Sequence, residues 1–408
     1  MFGRVAVTLP LDGVRVIEVG QALAGPLAGV LMADMGADVI KIEKPDGGDD
    51  ARIWGPPFGP DGKTSLYFYS QNRNKRSVVL DLKRPAGRDA CLSLAKTADV
   101  LVYNIRPQAM ARLKLGYEDV KKVNPRLLYV GAFGYSQRGP YAAKAAYDDL
   151  IQGAVGLPWL FQAAGGTSPR YLPAIVADRA TGLHVVNAVC AGLYWREKSG
   201  KGQRIDVPMF ESLLQLVLGE HLAGRTYDPP QGELGYGRML APGRAPYQTK
   251  DGYICVLVYN DKQWRVFFDL IGRPELLKDP RYATPEARSR YFESANALVA
   301  EEMKKRTTDE WIATLEKADI PVQRMNNLQD LLDDPHLAAI GYFSTREHPS
   351  EGRIKSMAVP SEWSESKPEY RRHAPRHGEH TREVLREAGL QDAAIDQLIA
   401  SGAARVCQ

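Results

Sequence analysis

Two hydrophobic periods alternate along the first two hundred residues. The two-residue alternation of VRVIEV (residues 14–19) gives way to helical spacing in GQALAGPLAGVLMADMGA, with Pro26 near the first turn, and then to a second strand pattern, DVIKIE (38–43). That is a βαβ unit. The pattern recurs as SVVLDL (77–82), a helix over 85–97, DVLVYN (99–104), a further helix and RLLYVGAF (126–133). Strands alternating with helices predict an α/β fold with a mostly parallel, doubly wound sheet.

Farther on, PAIVADRATGLHVVNAVCAGLYWREKSGKGQRIDV (173–207) opens a long helical pattern at Asp178 that runs to Lys198. SGKGQ makes a turn, RIDVPM a short strand, and residues 211–222 another helix. The texture then changes. Residues 224–246 are rich in Gly and Pro without a period and read as a linker or active-site loop. A strand in DGYICVLVYN and several helices follow, one opened by a Thr307/Glu310 capping box before Trp311. These shifts predict a large domain of residues 1–224 and 331–408 and a smaller one of 225–330. After short strands around 353–359 come two terminal helices, the first with Thr381 as N-cap and Gly389 at its end, the second bracketed by Asp392 and Gly402. Neither can bury its Val384/Leu385 or Ile395/Leu398/Ile399 face alone, which predicts that they pack back on the first domain.

The chain of 408 residues is 44% hydrophobic, enough for a sizeable core. Its 53 basic and 49 acidic residues leave a net charge of +4, which argues against a nucleic-acid-coating surface and leaves room for a local cationic pocket. The four cysteines, Cys91, Cys190, Cys255 and Cys407, lie far apart without ligand spacing, and Cys190 falls in an apolar helix pattern, so reduced, mostly structural thiols are expected. MFGRVAVTLP has no long apolar core and no uninterrupted apolar stretch reaches about 18 residues, so the reading is a soluble, cytoplasmic protein with no membrane partner.

Ligands of open α/β sheets bind beyond the carboxyl ends of the strands. The polar residues there are Gln21, Lys44, Lys83, and Asn104 with Arg106. Loop ends are polar in any fold, yet three cations and two amides on one rim suit a phosphate-bearing ligand. No nucleotide fingerprint is present: Gly20, Gly25 and Gly29 do not fit GxGxxG, and the GKT at 62–64 has Pro57 where a P-loop needs Gly. GxSxG and HExxH are absent too. His373, His377 and His380 read as a surface cluster, with no metal site expected. What remains is carboxylate chemistry or pure binding. Asp178, at a helix start, fits an N-cap as well as a nucleophile.

Several blocks resemble the class III coenzyme A transferases, the CaiB/BaiF family, in order and over nearly the full length. They are LDGVRVIEVGQALAGPLAGVLMADMGADVIKIEKPDGGD, NRNKRSVVLDLKRPAG, ADVLVYNIRPQAMARLKLGY, the Asp178 stretch through SGKGQRIDVPM, and GEHTREVL. The resemblance implies a large Rossmann-like domain built from both chain ends, a small inserted α/β domain and an interlocked homodimer. It also implies an aspartate nucleophile in a block of the form GDSNTGMH, matched here by residues 177–184 with Ala177 in place of Gly, so that Asp178 is the aligned residue. Coenzyme A or acyl-CoA enters as substrate, with no permanently bound cofactor, and a small carboxylic acid as the other partner.

CoA-binding positions of the family match Gln21, Leu23, Ala24, Lys44, Leu80 to Lys83, Asn104, Ile105, Arg106, Arg112, and Ala145 to Asp148 including Tyr147. Lys44 replaces an arginine and keeps the charge without the bidentate fork, and Leu23 replaces a glutamine. The family's glycine-rich closing loop has its nearest counterpart in residues 232–243. A succinyl-type donor is common in the family, and Arg179, Arg238 or Arg244 would then face the distal carboxylate. The related α-methylacyl-CoA racemases carry a His where Tyr147 stands, and a phenol titrating near 10 is a poor base for an α-proton. A non-catalytic CoA-binding subunit would be marked by loss of the aspartate, which is retained.

Overall fold

The computed structural model describes residues 9–407 except 57, 61 and 63. Pro57 and Lys63 of the GKT region, and most of the opening decapeptide, lie outside the described residues. The chain forms two compact units. One runs up to Val155 and takes in Tyr171–Val217 and everything from Ala338 onward; the other consists of Gly156–Arg170 and Leu218–Leu337.

In chain order the elements are β1 (Arg15–Val19), α1 (Ala24–Asp34), β2 (Asp38–Glu43), α2 (Leu66–Asn72), β3 (Lys75–Leu80), α3 (Pro85–Ala95), β4 (Val100–Tyr103), α4 (Pro107–Arg112), α5 (Tyr117–Val123), β5 (Leu128–Phe133), α6 (Asp148–Ala154), α7 (Leu157–Ala163), α8 (Val176–Ser199), β6 (Arg204–Pro208) and α9 (Met209–His221). The six strands form a parallel sheet in the order β3-β2-β1-β4-β5-β6, extended beside β3 by the antiparallel strand Ala404–Arg405.

Successive strand residues point to opposite faces, and both faces of a parallel sheet are covered. Val16, Val39, Val100 and Val130 pack with Ala28 and Met32 of α1 and Val185 and Val189 of α8. Ile17, Ile40, Leu101 and Tyr129 pack on the other side with Cys91 and Leu94 of α3. Val384, Leu385, Ile395 and Leu398 of the helices Thr381–Glu387 and Asp392–Ala400 join this second layer, so the terminal helices do return to the sheet.

Three local expectations change. Thr381 is the first helical residue rather than the cap, because its Oγ1 accepts from the Val79 N–H at 3.1 Å. The strands expected around 353–359 are the hairpin Phe343–His348 and Gly352–Met357. Cys190 is exposed, because the inward face of α8 is made of Ala177, Thr181, Val185, Val189 and Gly192. Cys91 is buried, and burial pushes its thiol up to about 12.

The second unit holds the antiparallel sheet Tyr247–Gln248, Tyr253–Val256 and Val322–Arg324 over a core of Trp264, Phe267, Phe268, Tyr282 and Trp311. The Thr307/Glu310 capping box forms. Among the described residues no helix is long and apolar enough to cross a membrane.

Candidate active site

The sheet order reverses beside β1, since β2 and β3 lie on one side and β4, β5 and β6 on the other. Loops leaving β1 and β4 therefore diverge and open a crevice at the switch point. Asn104, just past β4, spans it: its Oδ1 accepts from the Gln21 N–H at 2.8 Å and its Nδ2 donates to the Gln21 carbonyl at 2.7 Å. Gly20 and Gly25 allow this approach, because a Cβ on either would come within 3.3 Å of the Asn104 side chain.

Asp178 is the third residue of α8 and not its cap. The capping carboxylate belongs to Asp148, whose Oδ1 accepts from the N–H groups of Ala177 at 2.7 Å and Asp178 at 3.1 Å. Gln152, fully buried, fixes Asp148 by donating to its Oδ2 at 2.7 Å. Released from capping, the Asp178 carboxylate accepts instead from the N–H of Ala24, the first residue of α1, at 3.2 Å. It thus lies in the first turn of one helix and at the N-terminus of another, both ends carrying positive partial charge. Burial nevertheless raises its pKa to about 6; the Asp148 charge adds to the rise, while the Ala24 N–H and Arg179 oppose it.

The carboxylate lines a cavity of about 600 Å³. Gln21, Leu23 and Ala24 reach this cavity from the loop after β1, Asn104, Ile105 and Arg106 from the loop after β4, and Ala145, Tyr147 and Asp148 from the entry to α6. Lys44, Leu80 and Lys83 line a second cavity of about 490 Å³ that shares Gln21 and Ile105 with the first. Arg112 lies in a third, which shares Lys83 with the second. The residues singled out in the sequence therefore fall along three adjoining hollows at the carboxyl edge of the sheet, a shape suited to a long ligand.

The profile of CoA-transferase family III matches residues 11–381. The chain belongs to this family. It is similar to the succinate–glutarate CoA-transferase of Agrobacterium fabrum, 35% identical over 93% of this chain and 95% of the relative. Human succinyl-CoA:glutarate CoA-transferase is 33% identical over 96% and 89%. A CaiB/BaiF family protein from Brucella suis, solved by crystallography, superposes with a TM-score of 0.79 at 33% identity, covering 93% of this chain and all of that one. The protein is a class III CoA-transferase, and its substrates are CoA thioesters and carboxylic acids.

Sequence reasoning missed several residues of the transferase's Asp178 cavity, namely Trp54, Tyr67, Lys144 and Met209. Trp54 and Tyr67 stand with ring centroids 5.6 Å apart, and Ser65 links them by donating to the Trp54 carbonyl and accepting from the Tyr67 N–H at 3.1 Å. The only signal was an aromatic, Pro- and Gly-rich run, RIWGPPFG, with no period to place it. Burial, followed by the charge of Asp178, pushes the Tyr67 phenol up to about 12.

Of the rim cations, Lys44 pairs with Asp50, whereas Lys83, Arg106 and Arg112 have no ion-pair partner among the described residues. Lys144 lies 3.6 Å from the centroid of the Tyr141 ring. Arg238 and Arg244 belong to the second unit, where Arg238 covers Phe292. The tail histidines serve separate partners: His373 faces Glu379, His377 the Lys44 carbonyl and His380 the Ser77 N–H. Among the described residues no three His, Cys, Asp or Glu side chains converge as a metal site.

Proposed function

We propose that the transferase works through a covalent aspartyl intermediate at Asp178. The observation that supports this most is the division of labour between two carboxylates: Asp148 satisfies the start of α8, and Asp178 is left lining the cavity with a single backbone donor among the described residues. A carboxylate oxygen of Asp178 attacks the thioester carbon of the donor acyl-CoA, the C–S bond breaks, and a mixed anhydride and CoA thiolate result. The thiolate then attacks the Asp178 carbonyl carbon, the anhydride C–O bond breaks, and the donor leaves as a carboxylate. The acceptor carboxylate runs the same steps in reverse and takes the CoA. Thioester energy is kept at each stage, so no ATP is consumed. The Ala24 N–H, with the end of α1 behind it, stabilises the anionic carboxylate before attack and the oxyanion that forms on it.

The CoA moiety runs along the adjoining hollows, with Lys83, Arg106 and Arg112 toward its phosphates, while Lys44 reaches a phosphate only by giving up its ion pair with Asp50. Donor and acceptor are small dicarboxylic acids such as succinate; the named relatives, which act on succinate and glutarate, support this. Arg179, next to Asp178 in the chain, makes no ion pair among the described residues and is one of several cations of the first unit open to a distal carboxylate.

The test is peptide mass spectrometry after incubation with a panel of acyl-CoAs and borohydride trapping, with Asp178→Ala as control. A CoA adduct or a reduced side chain at residue 178, formed with succinyl-CoA or glutaryl-CoA and absent from the variant, is the expected result. Modification with monocarboxylic acyl-CoAs alone would overturn the donor class. Failure of every acyl-CoA to modify Asp178 would overturn the nucleophile.

A further inference from the structure

Among the buried charged side chains that take no part in that chemistry, Glu18, Lys41, Asp49 and Lys75 form one network. The Lys41 ammonium lies 2.7 Å from Glu18 Oε1 and 2.8 Å from Asp49 Oδ2, and the Lys75 ammonium 2.8 Å from Glu18 Oε2. Two acids and two bases balance, but burying them costs desolvation that apolar residues of similar size would avoid. Their value must lie in what they hold.

Three of the four grip the main chain from the end of β1 into the first turn of α1. Lys41 donates to the Gly20 carbonyl at 2.9 Å, Asp49 Oδ1 accepts from the Ala22 N–H at 3.0 Å, and Lys75 donates to the Pro26 carbonyl at 2.8 Å. Glu18 ties the two lysines together from beneath, and Gly29 of α1 lies so close that a Cβ there would come within 1.9 Å of Glu18 Oε2. Asn104 holds Gln21 on the opposite side. Midway along this clamped segment is Ala24, whose N–H meets Asp178. Ala22 has a φ of +64°, a left-handed conformation that an alanine adopts only under constraint.

We propose that Asp49, backed by Lys41, is a positioning residue for CoA transfer: it locks Ala22 in the left-handed turn and so aims the Ala24 N–H at the Asp178 carboxylate. The proposal rests on Asp178 as nucleophile. Asp49 is not among the residues lining the Asp178 cavity and makes no hydrogen bond to Asp178; it acts through three residues of backbone. Its other oxygen is committed to Lys41, which fixes the orientation of the carboxylate. An asparagine would accept from Ala22 only by turning its NH₂ group toward the Lys41 ammonium, so one of the two contacts is lost.

Asp49→Asn, compared with wild type by steady-state kinetics across pH, tests this. The expected result is a kcat lower by on the order of tenfold to a hundredfold with the KM for acyl-CoA within about twofold, the loss that a small misplacement of a reacting group produces. The acid limb of kcat/KM should move to higher pH, because Asp178 loses a donor to its anion; removal of the Asp49 charge by itself would move the limb the other way. Adding Ala22→Gly should restore most of the rate, since glycine reaches that φ without strain. A folded Asp49→Asn protein with wild-type kcat and acid limb, or a loss that Ala22→Gly does not relieve, would overturn the positioning role. Should Asp49→Asn fail to fold, Ala22→Val with the charges intact must give the same fall in kcat, because a β-branched residue disfavours positive φ; an unchanged kcat there overturns the proposal. Adduct formation at Asp178 is followed in the same samples. Its absence in wild type overturns the nucleophile and this role together, whereas its presence beside unaltered variant kinetics overturns only the role of Asp49.

Discussion

At the scale of single residues, Asp178 and Asp148 are coupled by charge and by a shared helix end. In the proposed mechanism attack requires the anion, so kcat/KM should fall as pH drops through about 6, the value to which burial and Asp148 raise Asp178. Asp148→Asn keeps an acceptor for the Ala177 and Asp178 N–H groups and removes the charge, so the acid limb of the pH profile should shift to lower pH; a shift upward would contradict this account. The same pKa bears on stability. A carboxyl raised from 3.8 to about 6 on folding contributes stability that is complete below 3.8 and is lost as pH rises through 6. Asp178→Asn, permanently neutral, should therefore raise the stability of the fold at pH 8 by up to about 3 kcal/mol and change it little at pH 4, as read by urea unfolding at the two pH values. A destabilising charge at the proposed nucleophile would be an ordinary cost of function.

Between elements, the decisive contact is the crossing of α1 and α8. Gly182 of α8 faces α1 so closely that a Cβ would approach Leu27 Cδ2 to 2.9 Å and the Ala24 carbonyl to 3.1 Å. Gly182→Ala should cost about 1–3 kcal/mol by overpacking and, because the displaced atom is the carbonyl of Ala24 itself, should lower kcat as well; thermal melting and turnover measured on the same preparation check both. The cap of α8 offers a contrast. Asp148→Ala strips two N–H groups of their acceptor and should lose about 1 kcal/mol, whereas Asp148→Asn should lose less.

For the whole molecule, the outer faces of α6, α8 and α9 leave Leu150, Leu183, Tyr194, Trp195 and Leu216 half or more exposed. Exposed apolar side chains of this size suit an interaction surface, and a second copy of the chain is the occupant that the family resemblance implies. Sedimentation velocity should therefore give twice the chain mass at micromolar concentration, and Leu183→Asp with Trp195→Asp should lower it. A monomeric wild type would count against the dimer.

The sequence by itself determined the alternation of strands and helices, the two-sided burial of the sheet, and the polar residues at its carboxyl edge, because each is written in a local period or in the residue after a strand. It brought Asp178 forward as a helix-start carboxylate and left two roles open. The tertiary structure removed the capping role, since the cap comes from Asp148, 30 residues before Asp178, and the donor to Asp178 from Ala24, 154 residues before it. Periodicity records which face of an element is buried but not which element lies beside it. The meeting of Gln21 with Asn104, the placing of Trp54 and Tyr67 in the cavity, and the closure of Glu18, Lys41, Asp49 and Lys75 into one network depend on strand order and on loops without a period. Only the assembled sheet brings those groups within hydrogen-bonding reach.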